Sequence, residues 1–214
     1  MKRHPFSMVE ILLALGVIAI GICSVMVLFP VGANATRDAA METYAANAAD
    51  QILHMVKFKL TMTDGNNQWN NYICDASAPY NGKGIFSAAV PDSGTVSMDD
   101  IDNTDKWDDY NNLIGGNTLK SGIFPYNTDA DHPYFYQIIV HRGSPDDGFA
   151  DVINNKVIDF RALATLWADR VQVQGANLPL NFATRLNLKI EWPVELPASA
   201  RQSAYYTLEV FNNK

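Results

Sequence analysis

The stretch PFSMVEILLALGVIAIGICSVMVLF, Pro5 to Phe29, decides how this sequence folds. Residues 11–29 carry no charge and are almost wholly apolar. A helix of that length reaches roughly 28 Å, about the thickness of a bilayer's hydrocarbon core. The run predicts a membrane-spanning helix rather than a cleaved secretory signal. A signal's apolar core is shorter and closes on a small-residue cleavage site. An Ala33-Asn34-Ala35 triplet does follow, yet the apolar run is long and the helical pattern continues through it. Lys2 and Arg3 precede the run, which places the N-terminus on the cytoplasmic side and the rest of the chain outward.

One acid breaks the pattern. A carboxylate at the centre of a span costs about 2.5–3.5 kcal/mol on insertion scales, and less near the interface. Glu10 sits near the start, so one reading lets it reach the headgroups. The other reading gives it a cationic partner once the segment packs among other helices. A buried carboxylate without such a partner would neutralise or oppose assembly.

Beyond Phe29, Pro30 is expected to kink or melt the helix, and Gly32 adds local freedom. The helical pattern then resumes. Met41, Ala45, Ala48, Ile52, Met55 and Val56 recur at helical spacing, and neither proline nor glycine interrupts residues 33–64. The spacing predicts a helix from Phe6 to about Met62, stopped by Thr63-Asp64-Gly65-Asn66-Asn67. Its first half is apolar all round and its second half is amphipathic.

Residues 64–133 are rich in Asn, Asp, Gly and Pro, but they also hold Trp69, Trp107 and Tyr110 among other aromatics. This predicts an ordered, irregular excursion rather than a linker. Strand signals follow. Tyr134 to Arg142 is β-rich, Arg170 to Gln174 and Arg185 to Trp192 alternate, and Tyr205 to Phe211 closes the chain. Val157 to Trp167 fits a short helix or two pieces of strand. Strands separated by turns predict an antiparallel sheet with its apolar face on the amphipathic half of the long helix. The expected class is therefore α+β, in five segments: 1–5, 6–29, 30–62, 63–133 and 134–214.

Composition narrows the chemistry. The 214 residues are 48% hydrophobic and carry a net charge of −7, which argues against a nucleic-acid partner. Cys23 and Cys74 form no CxxC and read as two unpaired small hydrophobes. His4, His54, His132 and His141 form no HExxH, Gly82-Lys83-Gly84 lacks the spacing of a phosphate loop, and no GxSxG occurs. No enzyme is expected. Two acidic stretches have oxygen ligands for calcium, one from Asp99 to Asp105 with Asp108 and Asp109 after it, the other from Asn127 to Asp131. Neither carries the glycine of an EF-hand loop. Asp129 and Asp131 alternate and are the better pair for calcium.

A short basic leader, Phe6, Glu10 four residues on, and then the uncharged run of residues 11–29 together resemble the start of a type IV pilin or a type II secretion pseudopilin. The resemblance implies that a prepilin peptidase cuts between Pro5 and Phe6, and that the new amino group on Phe6 is methylated. Pro5 stands where that family usually carries glycine. It further implies insertion in the inner membrane as a single span, followed by polymerisation into an extracellular or periplasmic filament of pilin or pseudopilin subunits. There Glu10 of one subunit would pair with the Phe6 ammonium of a neighbour. Such a pair offsets two desolvation costs only in register, so it sets alignment more than stability. Glu191-Trp192-Pro193, a loop with Arg201 and a final strand are similar to minor pilins and pseudopilins of the V and I kinds. A rival from another class is a membrane-tethered binding protein that recognises a glycan or surface through Trp69, Trp107 and Tyr110. A secreted enzyme is a third reading, without an active site to support it.

Overall fold

The computed structural model describes residues 7–61, 69–74, 85–87, 90–107, 122–126, 134–144 and 147–212. The chain divides into two compact units, Met1–Thr43 and Tyr44–Lys214. A single apolar N-terminal helix and a C-terminal antiparallel sheet give an α+β arrangement.

Helix α1 runs from Met8 to Thr61. In the first unit its residues are exposed as far as Ala40, and it is long and apolar enough to cross a membrane. Pro30 was expected to kink or melt the helix; it does not melt it, since helical structure continues through it. A proline removes one N–H donor, and the bonds on either side can hold the turn. In the second unit the helix buries Ala45, Ala48, Ala49, Ile52, Leu53, Val56 and Leu60. Those positions fall three or four apart and form one stripe. The stripe begins with alanines, which allow close approach, and ends with larger aliphatic residues.

The main sheet has the order β1-β2-β3-β6-β7 and is antiparallel throughout. Its strands are β1 Ile123–Pro125, β2 Tyr134–Arg142, β3 Val157–Asp169, β6 Ala183–Trp192 and β7 Gln202–Phe211. Helix α3, Phe149–Asn155, connects β2 to β3. Register places Ala164 opposite Ile190, Leu166 opposite Leu188, and Leu188 opposite Tyr206. Strand alternation puts Phe160, Ala162, Ala164 and Leu166 on one face. That face meets α1, since the Tyr44 ring lies 5.7 Å from Phe160, which in turn lies 6.2 Å from Trp192.

The opposite face carries Phe135, Ile139 and Leu163. These join Val96, Ile101, Trp107, Phe124, Phe149, Val152 and Val194 in a second cluster. The irregular region thus supplies a third layer over β2 and β3. It includes helix α2, Met98–Ile101, and edge strand β1. Gly122 opens β1 at φ +73°, where its carbonyl accepts the Ile139 N–H at 2.6 Å. A side chain there would collide with the Ile139 carbonyl oxygen.

Two expectations for the sheet are corrected. Val157 to Trp167 is neither a helix nor two pieces, because Val157–Asp169 is one strand. From Phe160 to Ala168 every residue is buried, so the alternation that marks a half-buried strand is absent. Arg170 to Gln174 contributes only β4, Gln172–Val173, which pairs with β5, Ala176–Asn177, outside the main sheet. Gln174 at φ 50° and Gly175 at φ +82° form the two-residue turn that ties this ribbon.

Candidate functional site

The first turn of α1 is where chemistry and apolar surface meet. Four N–H groups at a helix start have no partner within the helix. Ser7 and Glu10 satisfy two of them reciprocally. The Glu10 N–H donates to Ser7 Oγ at 3.3 Å, and the Ser7 N–H donates to Glu10 Oε2 at 3.3 Å. This is a capping box, written in the sequence as Ser-x-x-Glu. The pairing folds the carboxylate back over the start of the helix. Sequence reasoning fixed on the acid and missed its local partner, although the spacing Ser7-Met8-Val9-Glu10 carries the signal.

Below the cap residues 11–29 are uncharged and almost wholly apolar. Glu10, Ile11, Ala14, Leu15 and Ile18 share one side and line a shallow groove. Gly16, Gly21 and Gly32 open onto space, with nothing within 4 Å of where a Cβ would stand. The hydroxyls in this stretch are turned inward to the backbone. Ser24 Oγ donates to the Ile20 carbonyl at 2.8 Å, and Thr36 Oγ1 donates to the Gly32 carbonyl at 2.9 Å. Polar groups satisfied within the helix cost little in hydrocarbon. Cys23 is free and exposed.

Pro5 and Phe6 lie outside the described residues, as do Asp129, Asp131, Asp108, Asp109 and Tyr110. Among the described residues no group of three His, Cys, Asp or Glu side chains is placed to hold a metal. The acidic stretch from Asp99 serves the fold instead. Asp100 completes a second capping box with Ser97, its Oδ2 accepting from Ser97 Oγ at 2.6 Å. Hydrogen bonding from Ser97 holds the Asp100 carboxyl below the usual carboxylate range, and burial opposes this. Asp102 accepts from Arg161 Nη1 at 2.6 Å, while Arg161 Nη2 donates to the Ile101 carbonyl at 2.7 Å. Arg161 is buried on the covered face of β3, so it ties α2 down onto the sheet.

No family model, curated protein or solved structure matches this chain. The reading therefore rests on its own residues.

The two tryptophans that the rival reading assigns to a ligand platform are inside the fold. Trp69 is 0% exposed, and its Nε1 donates to the Leu180 carbonyl at 2.9 Å. Trp107 is 3% exposed, and its Nε1 donates to the Asp100 carbonyl at 2.8 Å. Its ring packs 4.9 Å from Tyr126 and 5.9 Å from Phe149. Their faces are used in packing and cannot stack on a sugar. A large indole with one polar handle is equally suited to a core whose backbone carbonyls need a donor, and that is its use here.

Proposed function

We propose that the chain is a structural subunit of a filament of the type IV pilin or type II secretion pseudopilin kind. It inserts as a single span through residues 11–29 and then polymerises through that helix. A prepilin peptidase would release residues 1–5 and leave Phe6 as an ammonium terminus. Residues 44–214 would form the outward domain. The V/I-type pattern at the C-terminus favours a minor or specialised subunit over a bulk one.

One observation carries the reading. An exposed carboxylate stands in the first turn of the helix, directly before the uncharged, exposed run of residues 11–29, and four residues after a phenylalanine that follows a short basic segment. A helix that only anchors a domain gains a capped first turn from that acid, whereas a helix that packs against copies of itself would also gain register. The burial of Trp69 and Trp107 weakens the rival in which the outer domain binds a glycan.

The test is a competition between tagged chains. Glu10→Gln keeps the capping geometry and removes the charge. It should insert as well as the native chain yet lose most of its share in filaments. Equal incorporation would contradict the register role of Glu10.

A further inference from the structure

We propose that β7 is a docking edge for a second copy of this chain: two β7 strands pair antiparallel, centred on Thr207, and join two sheets into one. This joint involves residues 202–211 and does not depend on the subunit reading.

The two edges of the main sheet are built differently. β1, Ile123–Pro125, is three residues long and ends in a proline, which cannot donate to a further strand. β7, Gln202–Phe211, is ten residues long and holds no Pro, Gly, Lys or Arg. Sheets usually blunt an exposed edge with such residues, with a bulge or with a cover. β7 pairs with β6 without a register shift, and among the described residues no strand lies beyond it. The Asn212 N–H donates to the Phe182 carbonyl at 2.8 Å, next to the pair Ala183–Phe211. Opposed residues in an antiparallel pair alternate between bonded and non-bonded. The even-numbered residues of β7 therefore bond β6, and the odd-numbered ones turn N–H and C=O outward. These are Ser203, Tyr205, Thr207, Glu209 and Phe211, all exposed, with Tyr205 at 58% and Phe211 at 47%. Among the described residues none of the five makes a backbone bond on that side.

The occupant follows from the side chains of the strand itself. Laid antiparallel on its twin about Thr207, β7 uses every outward residue. Ser203 falls opposite Phe211, Tyr205 opposite Glu209, and Thr207 opposite Thr207. The one charge of the strand thus meets a phenol and not a second acid. A register centred on Glu209 would instead set two carboxylates face to face. Within each copy Glu209 stands opposite Arg185, and Tyr205 opposite Lys189. One row across the joined sheets then reads Arg185 and Glu209 of one copy, Tyr205 and Lys189 of the other, with no like charges adjacent. On the other face Ala204 meets Val210 and Tyr206 meets Leu208, so apolar residues continue across the seam.

The experiment is disulfide cross-linking of the full chain in cell envelopes, in a Cys23→Ser background. Thr207→Cys should cross-link to its own twin, since bonded antiparallel partners hold their Cα atoms about 5.5 Å apart. Tyr205→Cys should not, because its twin lies about 14 Å away, yet it should cross-link to Glu209→Cys on a differently tagged chain. Adding Thr207→Lys to both chains of that mixed pair should cut its yield about 5-fold or more, because two ammonium groups then oppose each other at the seam. All three positions are exposed, so these changes spare the core. A Thr207→Cys yield no higher than the background chain would overturn the proposal. So would Tyr205→Cys joining its twin as well as Thr207→Cys does, or Thr207→Cys trapping a different protein in place of its twin. A mixed-pair yield untouched by Thr207→Lys would overturn it too, because the copies would then be held elsewhere.

Discussion

At the scale of single residues, Glu10 has two roles that one substitution confounds. Its side chain closes a capping box with Ser7, and its charge is the group proposed to seek a neighbour. Glu10→Ala removes both, whereas Glu10→Gln removes only the charge. If register depends on charge, the two variants should lose filament share to a similar extent. If the cap alone matters, Gln should behave as native and only Ala should fail. Ser7 became visible through coordinates rather than through sequence, for a specific reason. The acid was read against lipid, where it is an anomaly, and not against the backbone N–H groups that begin every helix.

At the scale of elements, α2 gives a pH prediction. The Ser97 hydrogen bonds hold Asp100 below its ordinary range. A carboxyl whose folded pKa is depressed contributes stability that is full above the unfolded value, near pH 4. That contribution is lost as the pH falls through the folded value. Asp100→Asn should therefore flatten the fall in stability between about pH 4 and 2, followed by acid titration of the ellipticity. An unchanged acid limb would mean that the box contributes nothing to folding. Strand β3 gives a second prediction. Leu163 is fully buried between the sheet and the irregular layer. Leu163→Ala should cost about 2–5 kcal/mol in urea unfolding. A loss below about 1 kcal/mol would mean that the layer packs only loosely on that face.

The sheet shows what could be read in advance and what could not. Arg185 to Trp192 was legible because Arg185, Asn187, Lys189 and Glu191 alternate with Leu186, Leu188, Ile190 and Trp192. The long helix was legible because its uncharged apolar run is long enough to span a bilayer and its alanine-bearing stripe follows the 3.6-residue period. β3 was not, since a strand covered on both sides has no polar face to set a period. Nor was the third layer. Trp69 and Trp107 stand in turn-rich sequence, where an aromatic bound for the core looks the same as one bound for a ligand. What distinguishes them is the distant carbonyl of Leu180 in one case and the near carbonyl of Asp100 in the other.

At the scale of the whole molecule, the chain carries an exposed apolar helix and a sheet domain in which β2 and β3 are covered on both faces. The second unit spends its tryptophans, its Arg161 and its described acidic loop on its own packing. Among the described residues the long run of exposed apolar side chains is the helix of residues 8–31. The proposal therefore turns on what becomes of the segment before Phe6: its removal would leave the Phe6 ammonium as partner for Glu10, whereas a retained leader would leave Lys2 or Arg3 in that role. The decisive measurement is the intact N-terminal peptide of the chain recovered from cell envelopes and filaments, read by mass spectrometry. The account predicts a peptide that begins at Phe6 and carries a methyl group on its amine. A peptide beginning at Met1, or one beginning near Asn34 or Thr36, would contradict it.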